Sequence, residues 1–199
     1  NQLSFVKNTQ AVSRLRKQSS QDKKGINAFP NTAFKVKRFS EMQMPNYEEA
    51  YYGTSFHQLK MLNGDLLHAN GYTGEGMTVA IIDAGFKKVN EIEAFSYLFD
   101  NGKILGTRDF VDGDDDVYGN SSHGTHVFAI MAANLPNVYV GAAPEANYYL
   151  LRTEAGGSET IIEEYNWIAA AEFADSAGVD VINTSLGYST FDDESMDYT

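Results

Sequence analysis

The sequence predicts an α/β fold with a mostly parallel sheet, on two observations. Strand-like and helix-like segments alternate over residues 46–199, and the runs at 77–82 (MTVAII) and 179–183 (VDVIN) are short, apolar and bounded by turn formers. Such alternation gives parallel strands joined by right-handed crossovers. An unbroken apolar run is the pattern of a strand buried on both faces.

The elements follow in order. Residues 51–70 carry Phe56, Leu59, Leu62, Leu66 and Leu67 at helical spacing, and Gly71-Tyr72-Thr73-Gly74 ends the run as a turn. A strand is expected at 77–82 and a weaker one at 104–110. Residues 123–134 read as a helix that turns Val127, Ile130 and Met131 to a core, and residues 147–151 as another strand. The longest helical candidate is 159–177, with Ile161, Ile162, Tyr165, Ile168 and Phe173 near the helical period and Gly178 as its stop. A last strand is expected at 179–183. Sites in sheets of this kind form at the carboxyl ends of strands, which directs attention to Asp83 and to residues 184–188.

Composition narrows the function. With 199 residues and 43% hydrophobic content, the chain can build one sizeable core and an appendage. No apolar run approaches the roughly 20 residues that cross a bilayer, so no membrane span is expected. The absence of cysteine excludes disulfides, thiolate metal sites and a cysteine nucleophile. The net charge of -12 is unevenly spread, because residues 1–40 hold nine Lys or Arg and one acidic residue, Asp22. The chain therefore divides into a basic arm, 1–45, and a folded domain, 46–199. The arm lacks a strong apolar face and reads as a solvated connector, not a nucleic-acid binder. Its doublets Arg16-Lys17, Lys23-Lys24 and Lys37-Arg38 suit proteolytic processing.

Three motifs carry chemistry. Asp83 stands between a buried strand and Ala84-Gly85, where the backbone must turn. His123-Gly124-Thr125-His126-Val127 places a histidine at a helix start, beside a glycine that permits close approach. A general base needs an imidazole whose other nitrogen is bonded to a carboxylate, which fixes the tautomer and stabilises the imidazolium. Asp83 is the candidate carboxylate for His123, while His126 reads as a packing residue. The third motif is the run 109–116, with five carboxylates in eight residues. It is either a solvated acidic turn or a set of hard oxygen ligands suited to calcium.

Val79-Ala80-Ile81-Ile82-Asp83, Ser122-His123-Gly124-Thr125-His126-Val127 and Asp180-Val181-Ile182-Asn183-Thr184-Ser185-Leu186-Gly187 resemble three successive signature blocks of the subtilisin-like serine peptidases. Tyr72-Thr73-Gly74-Glu75-Gly76 and Gly141-Ala142-Ala143-Pro144 are similar to that family as well. The resemblance implies a doubly wound sheet of subtilisin type, incomplete in this chain. It implies that Asp83 orients His123, and that Ser185, Leu186 and Gly187 pair with an extended polypeptide substrate as an added strand. It also suggests Asp109, Asp114 and Asp116 as calcium ligands in the loop before the histidine.

The sequence departs from the family's pattern in four places. Ala84 stands where the family usually has Ser or Thr, which removes one possible hydrogen bond to the site. Phe128-Ala129 replaces the usual Ala-Gly and implies local repacking. Neither the serine block nor the oxyanion-hole asparagine occurs before Thr199. Gly53-Thr54-Ser55 mimics the serine block in the wrong order, and Ser195 lies among Asp192, Asp193, Glu194 and Asp197 as a loop residue.

The expectation is therefore the Asp- and His-bearing part of a secreted or periplasmic serine endopeptidase made as a zymogen, inactive as these 199 residues alone. Residues 2–6 would end a propeptide and 8–44 would form the linker cut on activation. The edge of the strand at 179–183 would need cover, from the downstream half as a separate chain or from self-association. The alternative is a pseudo-protease or binding module that keeps the peptide-binding edge without hydrolysis.

Overall fold

The computed structural model describes residues 49–198. The propeptide strand and basic linker expected within residues 1–45 lie outside the described residues. The sheet is parallel. β1 (Thr78–Asp83) is paired on one side with β5 (Asn147–Arg152) and on the other with β6 (Val181–Thr184), and β2 (Ile104–Asp109) lies beyond β5. A small antiparallel pair, β3 (Asn134–Leu135) and β4 (Tyr139–Val140), stands apart.

The alternation of side chains along β1 explains why both faces are covered. Val79 and Ile81 join one core with Phe86, Phe95, Leu98 and Phe128. Ala80 and Ile82 join the other with Leu151, Ala170 and Ala174. The first core lies under α4 (Glu93–Asp100) and α5 (His123–Ala132), the second under α6 (Ile161–Ser176). Helices on both faces make the fold doubly wound, as expected.

The start of α6 is set by a capping box, in which the Thr160 side chain meets the Glu163 backbone and the Glu163 side chain returns to the Thr160 backbone. Its end is set by Gly178, which takes φ 74.

Three expectations are corrected. The single helix over 51–70 is three short ones, α1 (Glu49–Tyr52), α2 (Phe56–Met61) and α3 (Gly64–Ala69). Gly53 breaks the first junction with φ 56, where an added Cβ would lie 2.3 Å from the Val138 carbonyl oxygen, and Asn63 breaks the second at φ 57. Leu62 is exposed, and the buried residues of α3 are Asp65 and His68. The Tyr52 hydroxyl donates to His68 Nδ1 at 3.1 Å, and His68 Nε2 donates to the Ala142 carbonyl at 2.9 Å, so a polar pair does what leucines were expected to do.

On α5 Val127 and Met131 pack against the core as expected, but the fully buried large residue is Phe128, and Ile130 is half exposed. Phe128 stacks on Phe95 at 4.7 Å and meets Tyr148 edge-on at 5.0 Å. This aromatic cluster is the repacking that the bulky residue required. On α6, Ala170 and Ala174 face the sheet while Ile162, Tyr165 and Ile168 are exposed. Small residues let the helix approach the strands closely, and this turns the larger apolar stripe outward.

β6 is an edge strand among the described residues, and its Val181 and Ile182 are exposed. Phe128→Ala should lower unfolding free energy by about 3–5 kcal/mol, read as a fall in denaturant midpoint, while Ile130→Ala stays within about 0.5 kcal/mol. Equal losses would contradict the assignment of the buried face.

Candidate functional site

β1 delivers Asp83 to the carboxyl end of the central strand, where its side chain is fully buried. Asp83 Oδ1 accepts from the Ala84 N–H at 2.7 Å and from His123 Nδ1 at 2.7 Å. His123 is the first residue of α5, and its N–H donates to Ser121 Oγ at 3.1 Å. Two glycines allow the approach. A Cβ on Gly124 would lie 2.5 Å from the Gly85 carbonyl oxygen and 3.0 Å from Asp83 Cβ, and Gly85 itself takes φ 138. Any larger residue at 124 pushes the imidazole away from its carboxylate.

Because an ionised carboxylate only accepts, the bond to Asp83 places the imidazole proton on Nδ1. Nε2 is left with a free lone pair and no protein partner among the described residues, and the ring is about half exposed. The other carboxylate oxygen, Asp83 Oδ2, is buried with no hydrogen-bond partner among the described residues. Ala84 is the position where a hydroxyl would have offered one. His126, expected to pack, is exposed.

His123 and Ala84 line a cleft of about 300 Å³ together with Ser185, Leu186 and Gly187. The structure thus gathers five sequence-selected or neighbouring positions, from the ends of β1 and β6 and the start of α5, at one place. The same cleft is lined by Gly156, Gly157 and Ser158 and by three carboxylates, Glu154, Glu159 and Glu163.

Glu154 is buried, and its Oε1 accepts from the Tyr188 hydroxyl at 2.5 Å and from Thr153 Oγ1 at 2.9 Å. Burial, and then the charges of Glu163 and Glu159, raise its pKa above the ordinary carboxylate value, against those two hydrogen bonds. Burial and the neighbouring Glu154 push the Tyr188 phenol up. Glu163 serves the fold, its oxygens accepting from the Ala155 N–H at 2.9 Å and the Thr160 N–H at 3.0 Å.

Glu154 was not selected from the sequence, and Tyr188 only as the end of the segment 184–188. The signal was available: Thr153-Glu154 directly follows β5, at a strand end of the same kind as Asp83.

The carboxylates of the acidic loop are engaged with protein groups. Asp109 is buried and pairs through Oδ2 with Arg152 Nη1 at 2.5 Å, while Oδ1 accepts from the Val111 and Asp112 N–H groups. Arg152 also holds Asp112 at 2.7 Å. Asp114 and Asp116 turn inward to the backbone N–H groups of Asp116 and Tyr118. Among the described residues no three acidic, histidine or cysteine side chains gather to hold a metal. Arg152 pairs with Asp109 and Asp112, and Arg108 with Asp115 at 3.2 Å, so arginines offset part of the loop's charge.

The two serines set aside as nucleophiles are structural. Ser55 is buried and donates to the Tyr52 and Val140 carbonyls. Ser195 donates to Asp193 in a surface turn.

A model of the Subtilase family matches residues 74–199. Subtilisin E of Bacillus subtilis is 34% identical over 133 residues, covering 65% of this chain and 32% of that protein. The minor extracellular protease Vpr of Bacillus subtilis is 31% identical over 170 residues, covering 81% of this chain and 20% of that protein. The chain thus spans about a third or less of the length of these relatives. Among solved structures, the MycP3 protease from the type VII (ESX-3) secretion system superimposes with a TM-score of 0.52 at 21% identity, over 72% of this chain and 39% of that one, a likeness of fold.

The raised pKa of Glu154 has a consequence for stability. A carboxyl that holds its proton more tightly when folded works against the fold once ionised, so stability present below the unfolded value, about pH 4, is lost as pH rises through the folded one. Glu154→Gln should therefore raise Tm at about pH 8 by roughly 2 °C or more, and the gain should vanish below about pH 4. A gain independent of pH, or a loss at high pH, would contradict the assignment.

Proposed function

Because the chain belongs to the subtilase family, we propose that it is the Asp- and His-bearing part of a serine endopeptidase that hydrolyses peptide bonds in extended polypeptide. The observation that carries this reading is the 2.7 Å bond between His123 Nδ1 and Asp83 Oδ1, with Nε2 left unpartnered at a cleft shared with Ser185, Leu186 and Gly187. The nucleophile would come from residues beyond Thr199, in the family's order Asp, His, Ser.

The chemistry then follows from the proton positions. As the serine oxygen attacks the scissile carbonyl carbon, His123 Nε2 takes the hydroxyl proton, and Asp83 stabilises the imidazolium through Nδ1–H. When the C–N bond breaks, the same Nε2 proton passes to the leaving amine. Water then attacks the acyl-enzyme, giving its proton to Nε2, which returns it to the serine oxygen as the acid product leaves. Ser185 to Gly187 follow β6 directly at the cleft, a position from which their backbone would pair with a peptide added as a strand.

The same reading covers the wider protein. The exposed edge of β6, with Val181 and Ile182 half exposed, suits pairing with a further strand of the catalytic domain or with a second chain. Secretion or export to the periplasm, and synthesis as a zymogen whose basic linker is cut, complete the proposal.

The test is peptide hydrolysis and labelling by a serine-directed phosphonate in the full-length protein. In subtilisin, loss of the triad histidine lowers turnover by about 10⁶ and loss of the aspartate by about 10⁴. His123→Ala and Asp83→Ala should give losses of those orders and suppress labelling, and residues 1–199 alone should do neither reaction. Undiminished hydrolysis in His123→Ala would contradict the reading, and a folded full-length protein without hydrolysis would leave a peptide-binding relative.

A further inference from the structure

We propose that Glu154 is a specificity residue that binds a basic side chain, arginine or lysine, of the polypeptide lying in the His123 cleft. The inference rests on that cleft being the peptide-binding cleft of the reading above. Three carboxylates line it, and among the described residues no lysine or arginine does. Arg152, two residues before Glu154, is engaged elsewhere: its Nη1 is held by Asp109 and Asp112, and its Nε donates to the Glu154 carbonyl oxygen.

The three carboxylates are not equivalent. Both oxygens of Glu163 are occupied by backbone N–H groups, so it contributes field and no acceptor. Glu159 is exposed. Glu154 is 8% exposed, with Oε1 held by Tyr188 and Thr153 and Oε2 without a protein partner among the described residues. A buried, fixed acceptor beside two like charges is an unfavourable arrangement for the empty protein. A cation from the substrate relieves it, because it removes the repulsion and fills the open acceptor together.

The structure explains how Glu154 is held ready. Parallel pairing of β1 with β5 sets Asp83 opposite Arg152, so Glu154 follows two residues beyond the strand end beside the catalytic candidate pair. Tyr188, just after the Ser185-Leu186-Gly187 segment, ties Glu154 to the same edge that would bind the peptide backbone. A low-dielectric cleft of one sign of charge focuses its field on the ligand.

The experiment compares arginine with citrulline, its neutral isostere, scanned through short alanine-based peptides. Binding is measured by competition on full-length His123→Ala protein, so that nothing is consumed, and cleavage of the same peptides by the unaltered protein is followed separately. At one position the arginine peptide should bind about tenfold or more tightly than the citrulline peptide. Added to the same protein, Glu154→Gln should collapse that ratio, while Glu172→Gln, which removes a charge on exposed α6 surface, should keep it. The ligand-side swap holds even if Glu154→Gln misfolds. No arginine preference at any position, or one that survives Glu154→Gln, overturns the proposal. A Glu154-dependent preference with no cleavage of either peptide supports this inference and sinks the endopeptidase reading alone.

Discussion

A buried carboxylate that must be hydrogen-bonded governs the arrangement of this domain. Asp83 has no exposure to solvent, and its compensation is the Ala84 N–H and His123 Nδ1–H, both on one oxygen. An isolated buried anion is expensive, so the strand that presents Asp83 and the helix that presents His123 cannot be placed independently. β1 therefore runs through the centre of the sheet with neighbours on both sides, and α5 begins against the turn at Gly85. Gly124 makes that contact sterically possible. The unpartnered Oδ2 is the weak point of the arrangement, at the place where alanine stands instead of a hydroxyl residue.

Parallel register does the rest of the assembly. β1 pairs Asp83 with Arg152 of β5 and Ile82 with Thr184 of β6, so three strand ends arrive side by side. From them come the carboxylate bonded to His123, the buried Glu154, and the Ser185-Leu186-Gly187 segment. Arg152 separates two acidic populations. Its guanidinium neutralises the loop at Asp109 and Asp112, while Glu154, two residues on, is left to the cleft. Burial and hydrogen bonding thus give neighbouring carboxylates different tasks within a short stretch of chain.

Much of this was legible in the sequence, for local reasons. MTVAII reads as a two-sided strand because its last four residues are all apolar, and the capping box and Gly178 bound α6 by chemistry confined to a few residues. The Asp83 and His123 pairing was legible because the residue types and their place at element ends matched a general base and its partner.

What escaped the sequence depends on contacts far along the chain. The apolar periodicity of α6 pointed to Ile162, Tyr165 and Ile168, yet the sheet takes the alanine face, because close packing of helix on strand favours small residues. Residues 51–70 look helical throughout, but Gly53 meets Val138, over eighty residues away, and breaks the run. The acidic loop suggested a metal because Arg152, the cation that satisfies Asp109, is 43 residues distant in sequence. Glu154 had no local mark apart from its place after a strand.

The account turns on which nitrogen of His123 carries the proton. Nitrogen-detected NMR of the histidine-labelled chain, with the ring assigned through His123→Gln, measures it directly. The account predicts an Nδ1-protonated ring with Nε2 bare in the neutral imidazole, and loss of that tautomer in Asp83→Asn. An Nε2-protonated ring in the unaltered chain, or a tautomer indifferent to Asp83→Asn, would contradict it.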